Sequence, residues 1–148
     1  MREKEKLRIR HILASGAVGA SLVLGPATMP ASAADGVQRA TPTSSSPNSG
    51  SCAVSDWDGT ACFEGYGEWF YLLDDYDDHV PIAIKWEHQK LDGTWRRGVI
   101  YNDYGPDAGW TSVNKSFEEN GFVTYWLCDF DVSTKEAYNC VGPGWGPT

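Results

Sequence analysis

The chain has 148 residues, 41% of them hydrophobic, with 20 acidic against 12 basic side chains and a formal net charge of −8. An acid excess of this size disfavours nucleic acids and anionic membranes, since both demand a basic surface. Seven Trp, seven Tyr and five Phe argue against a disordered chain, and four Cys allow two disulfides.

Residues 1–33 have the form of a secretory signal peptide. Arg2, Lys4, Lys6, Arg8 and Arg10 precede an apolar stretch over 12–25, and Ala31-Ser32-Ala33 supplies the small-x-small pattern that signal peptidase cuts. The expected mature start is Ala34. The apolar stretch is shorter than the ~20 residues of a membrane-spanning helix. The Gly- and Pro-rich end, 142–148, carries no hydrophobic tail, so no membrane anchor is expected. The product should be secreted and extracellular. Cleavage removes Glu3, Glu5 and the five bases, which leaves 18 acids against 7 bases, a net charge of −11. Such a charge favours a soluble monomer. An oxidising destination makes Cys52, Cys62, Cys128 and Cys140 disulfide cysteines.

Residues 34–51 are rich in Ser, Thr and Pro, with almost no apolar bulk. They are expected to form a disordered linker. Residues 52–148 hold every aromatic residue and should form a single disulfide-bonded β-domain. Its aromatic content compensates for its small size.

Residues 67–73 read as a strand ended by the acidic run 74–78, although 64–73 fits a helix as well. Over 82–90 the period is two: Ile82, Ile84, Trp86 and His88 share one face, and Ala83, Lys85, Glu87 and Gln89 the other. Leu91-Asp92-Gly93 is a turn, and 94–102 returns, with Gly98 suggesting a bulge. A loop over 103–109 leads to a strand over 110–117 and a turn over 118–121. Residues 122–131 form the clearest strand, with Phe122, Thr124, Trp126, Cys128 and Phe130 on one face. A turn at 133–135 precedes a short strand over 136–141. The expected fold is all-β, a small antiparallel β-sandwich or barrel of about six or seven strands, with two disulfides. Of the three possible connectivities, Cys52–Cys62 and Cys128–Cys140 are preferred. Each closes a loop of about a dozen residues, worth roughly 3 kcal/mol through chain entropy.

The order strand, cysteine, turn, cysteine, aromatic is carried by Gly121-Phe122-Val123-Thr124-Tyr125-Trp126-Leu127-Cys128, then Cys140 and Trp145. In this the chain resembles small two-disulfide secreted proteins of actinobacteria, mostly of unassigned function. The resemblance implies a β-domain behind a signal peptide and brings no catalytic residue with it.

Asp74, Asp75, Asp77 and Asp78 place four carboxylates in five residues, a repulsion that calcium would relieve. No ligand spacing that selects calcium accompanies them, so a solvated turn between two strands is the expected reading and calcium the weaker alternative. Asp56-Trp57-Asp58-Gly59 resembles the start of an EF-hand loop but has Gly67 where the bidentate Glu is required. No cofactor is therefore expected. His88, on an apolar strand face, should be packed and hydrogen-bonded rather than catalytic. No Gly-x-Ser-x-Gly motif frames Ser55, Ser112 or Ser116. Glu64 with Glu68, or Glu87 with an aspartate, are carboxylate pairings of the kind glycoside hydrolysis uses, though such pairs arise by chance in a chain this acidic.

Exposed aromatics carry the functional expectation. Trp95, next to Arg96-Arg97, Trp110, and Trp145, in the Gly-Pro tail, are candidates for ligand stacking. The expected function is a non-catalytic extracellular binding or interaction protein, for wall glycan or a protein partner. The alternatives are a protease-inhibitor or toxin-like effector and, after it, a small glycan hydrolase.

Overall fold

A computed structural model describes residues 35–148. The expected signal peptide and its cleavage site lie outside the described residues. Ten strands form two five-stranded sheets, and no α-helix occurs among the described residues. Sheet A has the order β1 (Gly36–Arg39), β7 (Trp95–Asn102), β6 (Ile82–Gln89), β9 (Phe122–Asp131) and β10 (Glu136–Pro147). Sheet B has the order β2 (Thr41–Pro42), β8 (Trp110–Asn114), β5 (Trp69–Asp74), β4 (Gly59–Glu64) and β3 (Val54–Ser55). The all-β sandwich with two disulfides is thus present, with more strands than the six or seven expected.

The core forms because the strand period of two sends alternate residues inward from both sheets. Ile82, Ile84, Trp86 and His88 of β6 face Phe63, Phe70 and Leu72 of sheet B, and all are buried. Val123, Tyr125 and Leu127 supply the inner row of β9. Rings fill the middle. Phe70 lies 6.2 Å from Trp86 and 6.0 Å from Tyr125, and Phe117 packs edge-on to Trp86 at 5.2 Å. Tyr125 puts its hydroxyl to use, accepting from Ala53 N at 3.3 Å and donating to Ser51 O at 3.2 Å. That ties the first cysteine's segment to the opposite sheet. Cys52–Cys62 and Cys128–Cys140 are bonded as expected, the second joining the neighbouring strands β9 and β10.

Several expectations are corrected. In place of the disordered linker expected over residues 34–51, Gly36–Arg39 pairs in parallel with β7, and Thr41–Pro42 pairs with β8. Composition misleads here because short edge strands need only backbone partners and a few anchors. Ala40 is buried, Asp35 binds Arg96 at 2.8 Å, and the buried Lys115 donates to Gln38 Oε1 at 2.8 Å. β1 also departs from the antiparallel pattern of the rest. Residues 64–73 contain strand and turn, with no helix. The short strand expected over 136–141 continues through the Gly-Pro tail to Pro147, with register shifts between Tyr138 and Val141 and again before Gly144.

Gly98 forms no bulge. The β6–β7 register runs unbroken through the pair Trp86–Gly98. A Cβ at residue 98 would come within 2.6 Å of the Trp86 indole, so glycine is required there for close approach. Gly98→Ala should cost about 1–3 kcal/mol by overpacking. Gly50→Ala, whose Cβ would meet nothing within 4 Å, should stay within about 0.5 kcal/mol. Urea unfolding of both variants tests the contrast; equal stabilities would contradict the packing.

Candidate functional site: the outer face of sheet A

Residues paired across strands share a face, so the register of sheet A fixes what stands on its outside. One row runs Trp95, Gln89, Phe122, Pro147. The next runs Arg97, Glu87, Thr124, Trp145. A third has Val99, Lys85 and Trp126. Val37 of β1 extends this third row beside Val99. Exposure is high: Trp145 70%, Phe122 67%, Trp95 46% and Val37 44%. Trp145 stands diagonal to both Phe122 and Trp126, roughly 7 Å along the neighbouring strand. These rings form an aromatic platform that the core leaves uncovered.

Cations are interleaved with the rings. Lys85 Nζ lies 5.6 Å from the Trp126 ring centre, and the Arg97 guanidinium 5.4 Å from Trp95. Arg97 Nε also donates to Glu87 Oε1 at 3.1 Å. At the far end Lys135 lies 5.1 Å from Tyr101, which stacks on Phe130 at 4.6 Å. Lys85, Arg97, Val37 and Val99 border a shallow, mostly apolar depression of about 200 Å³.

The three tryptophans expected to stack on a ligand do not share a surface. Trp95 and Trp145 belong to the sheet A platform. Trp110 stands on the outer face of sheet B, half-buried and edge-on to Tyr71 at 6.4 Å. Phe122 and Trp126 take its place. The alternation of β9 already puts these two on one face; what the sequence lacks is the pairing that sets Trp145 beside them.

The acidic run does not converge. Asp74 ends β5 and points inward, buried, with Oδ1 accepting from Tyr76 N at 3.1 Å. Asp75, Asp77 and Asp78 are exposed. Among the described residues no three His, Cys, Asp or Glu side chains gather as a metal site. Asp74, Asp77, Tyr76, His79, Asp103 and Tyr104 line a cleft of about 240 Å³ at one end of the sandwich. Arg39 stands over Tyr104 at 4.0 Å and binds Asp103 at 2.6 Å.

The remaining polar candidates have structural partners. His88 is buried, with Nδ1 3.2 Å from Phe122 O and its ring 4.7 Å from Phe117. Glu64 accepts from Asn48 N at 2.5 Å, and Glu68 from Phe117 N at 2.9 Å. The Cys52–Cys62 segment is a β3–β4 hairpin whose turn is held by Asp56 Oδ1, accepting from Asp58 N at 2.9 Å.

Burial pushes the Asp74 carboxyl up from 3.8 to about 6, with help from neighbouring Asp78 and Asp75 and against the Tyr76 hydrogen bond. A raised folded-state pKa means that stability is fullest below about pH 4 and declines as pH rises through about 6. Asp74→Asn keeps an acceptor for Tyr76. It should match the wild type near pH 4 and exceed it by about 1–3 kcal/mol above pH 7 in denaturant titrations; a pH-independent difference would contradict this. No protein-family model matches the chain, and neither the curated proteins nor the solved structures hold a match to it.

Proposed function

We propose that the protein is a non-catalytic binding module that holds an extracellular glycan against the outer face of sheet A. The observation that carries this is the concentration of Trp145, Phe122, Trp126 and Trp95 on one open face. Pyranose rings present flat C–H faces that stack on aromatic rings, while their hydroxyls bond to polar side chains at the edge. Gln89, Thr124, Glu87 and Arg97 stand in the same rows as the aromatics. A broad face of this kind suits a polymer lying across several strands better than a small molecule enclosed in a pocket. Two disulfides and the expected signal peptide fit a module that works outside the cell.

Retention of the purified protein on insoluble glycans such as cellulose, chitin or peptidoglycan tests this. Trp145→Ala and Phe122→Ala should each weaken binding about tenfold, near 1.4 kcal/mol, at unchanged melting temperature. Trp110→Ala, on the other sheet, should lower stability and leave retention unchanged. Equal retention of wild type and Trp145→Ala would refute the platform.

A further inference from the structure

We infer that the platform selects an acidic polysaccharide, one whose sugar rings carry carboxylates; this narrows the glycan reading above and rests on it. A strongly acidic chain has few cations to place, and the described residues contain seven bases. Four are engaged elsewhere. Lys115 is buried against Gln38, Arg39 binds Asp103, Arg96 binds Asp35, and Lys90 Nζ lies 3.8 Å from Asp92. The other three, Lys85, Arg97 and Lys135, all stand over rings of the outer face of sheet A. Across the rows that carry the aromatics, Glu87 is the one carboxylate, and Arg97 binds it. The face used for stacking is therefore locally cationic on a molecule of net charge −8.

The geometry favours a ring-borne carboxylate. Lys85 and Arg97 lie 5.6 and 5.4 Å from aromatic ring centres, so a sugar stacked on Trp126 or Trp95 brings its substituents within reach of one or the other. The planar guanidinium of Arg97 already bonds one carboxylate through Nε, and its remaining N–H donors suit a second. A polyphosphate without sugar rings would engage the cations and waste the aromatic area. The protein's overall negative charge opposes any polyanion at long range, but screening over roughly 8–10 Å in physiological salt leaves the local cations dominant at contact.

The test compares polygalacturonate with its methyl-esterified form, which keeps the rings and removes the charge. Affinity electrophoresis of the full protein should show the acid form bound at least about tenfold tighter, with the advantage shrinking between about 50 and about 500 mM salt. A Lys85→Gln/Arg97→Gln double variant should bind both forms alike, with an unchanged melting temperature. Equal binding of the two forms by the wild type, tighter binding as salt rises, or equal affinity for poly(glycerol phosphate) would each overturn the acidic-sugar inference. Binding of neither form would overturn it too. In all these cases retention on cellulose, chitin or peptidoglycan, and its loss in Trp145→Ala, decides separately whether the glycan platform stands.

Discussion

The Trp86 indole occupies the space that a side chain on residue 98 would need. This close approach governs where the other rings of the protein can go. Trp86 sits on the central strand β6, fully buried, with Phe70 and Phe117 against it and the cations of Lys115 and Arg96 5.2 and 5.9 Å from its ring. Once that ring, Phe63, Phe70, Phe117 and Tyr125 fill the gap between the sheets, no room remains for the other large aromatics. Interiors are close-packed, so surplus rings must go outside. Strand alternation then sets them out in rows on the outer faces, Trp95, Phe122, Trp126 and Trp145 on sheet A and Tyr71 and Trp110 on sheet B, because neighbours in register share a side. Core packing and the platform are two consequences of a single register.

Electrostatics show a similar division. Acidic side chains gather toward the loop end of the sandwich, where Asp74, Asp77 and Asp103 share a cleft. Burial there raises Asp74, and the Arg39–Asp103 pair anchors the N-terminal strand beside it. Apart from Lys90, which sits beside Asp92 in the β6–β7 turn, the bases of the described residues instead brace the N-terminal strand and core or stand among the rings of sheet A. Burial draws the Lys115 ammonium down from 10.5 to about 8, with Asp35 acting in the opposite sense. Its hydrogen bond to Gln38 therefore offsets a desolvation cost that an exposed lysine would not meet. The N-terminal strand stays in place because buried polar groups depend on it.

Features that local chemistry dictates are legible in the sequence. The β6–β7 hairpin at Asp92-Gly93, the alternation of β6 and β9, and both disulfides belong to this class, since each rests on residues close together in the chain. Long-range pairing does not. Nothing local says that Gly36–Arg39 should meet β7 some sixty residues away, or that a Gly-Pro tail should run on as a strand beside β9. The site shares this limit. Trp95 and Trp145 are recognisable as exposed rings, but joining them through Phe122 and Trp126, and removing Trp110 to the opposite sheet, requires the cross-strand register. Gly98 suggests a bulge to local reasoning for the same cause: its role is set by a ring on another strand.

The tail strand has a further effect on how the molecule meets its own copies. β10 forms one outer border of sheet A, where an unpaired backbone invites a second chain to add itself. Here that border contains Pro143 and Pro147, which lack a donor, and two breaks in register that interrupt any continuous ladder. The opposite border, β1, is only four residues long. A sheet that bares so many rings would be prone to stack into fibrils, yet its margins give a neighbouring strand little to continue. The molecule can keep a sticky surface because its edges are poor templates.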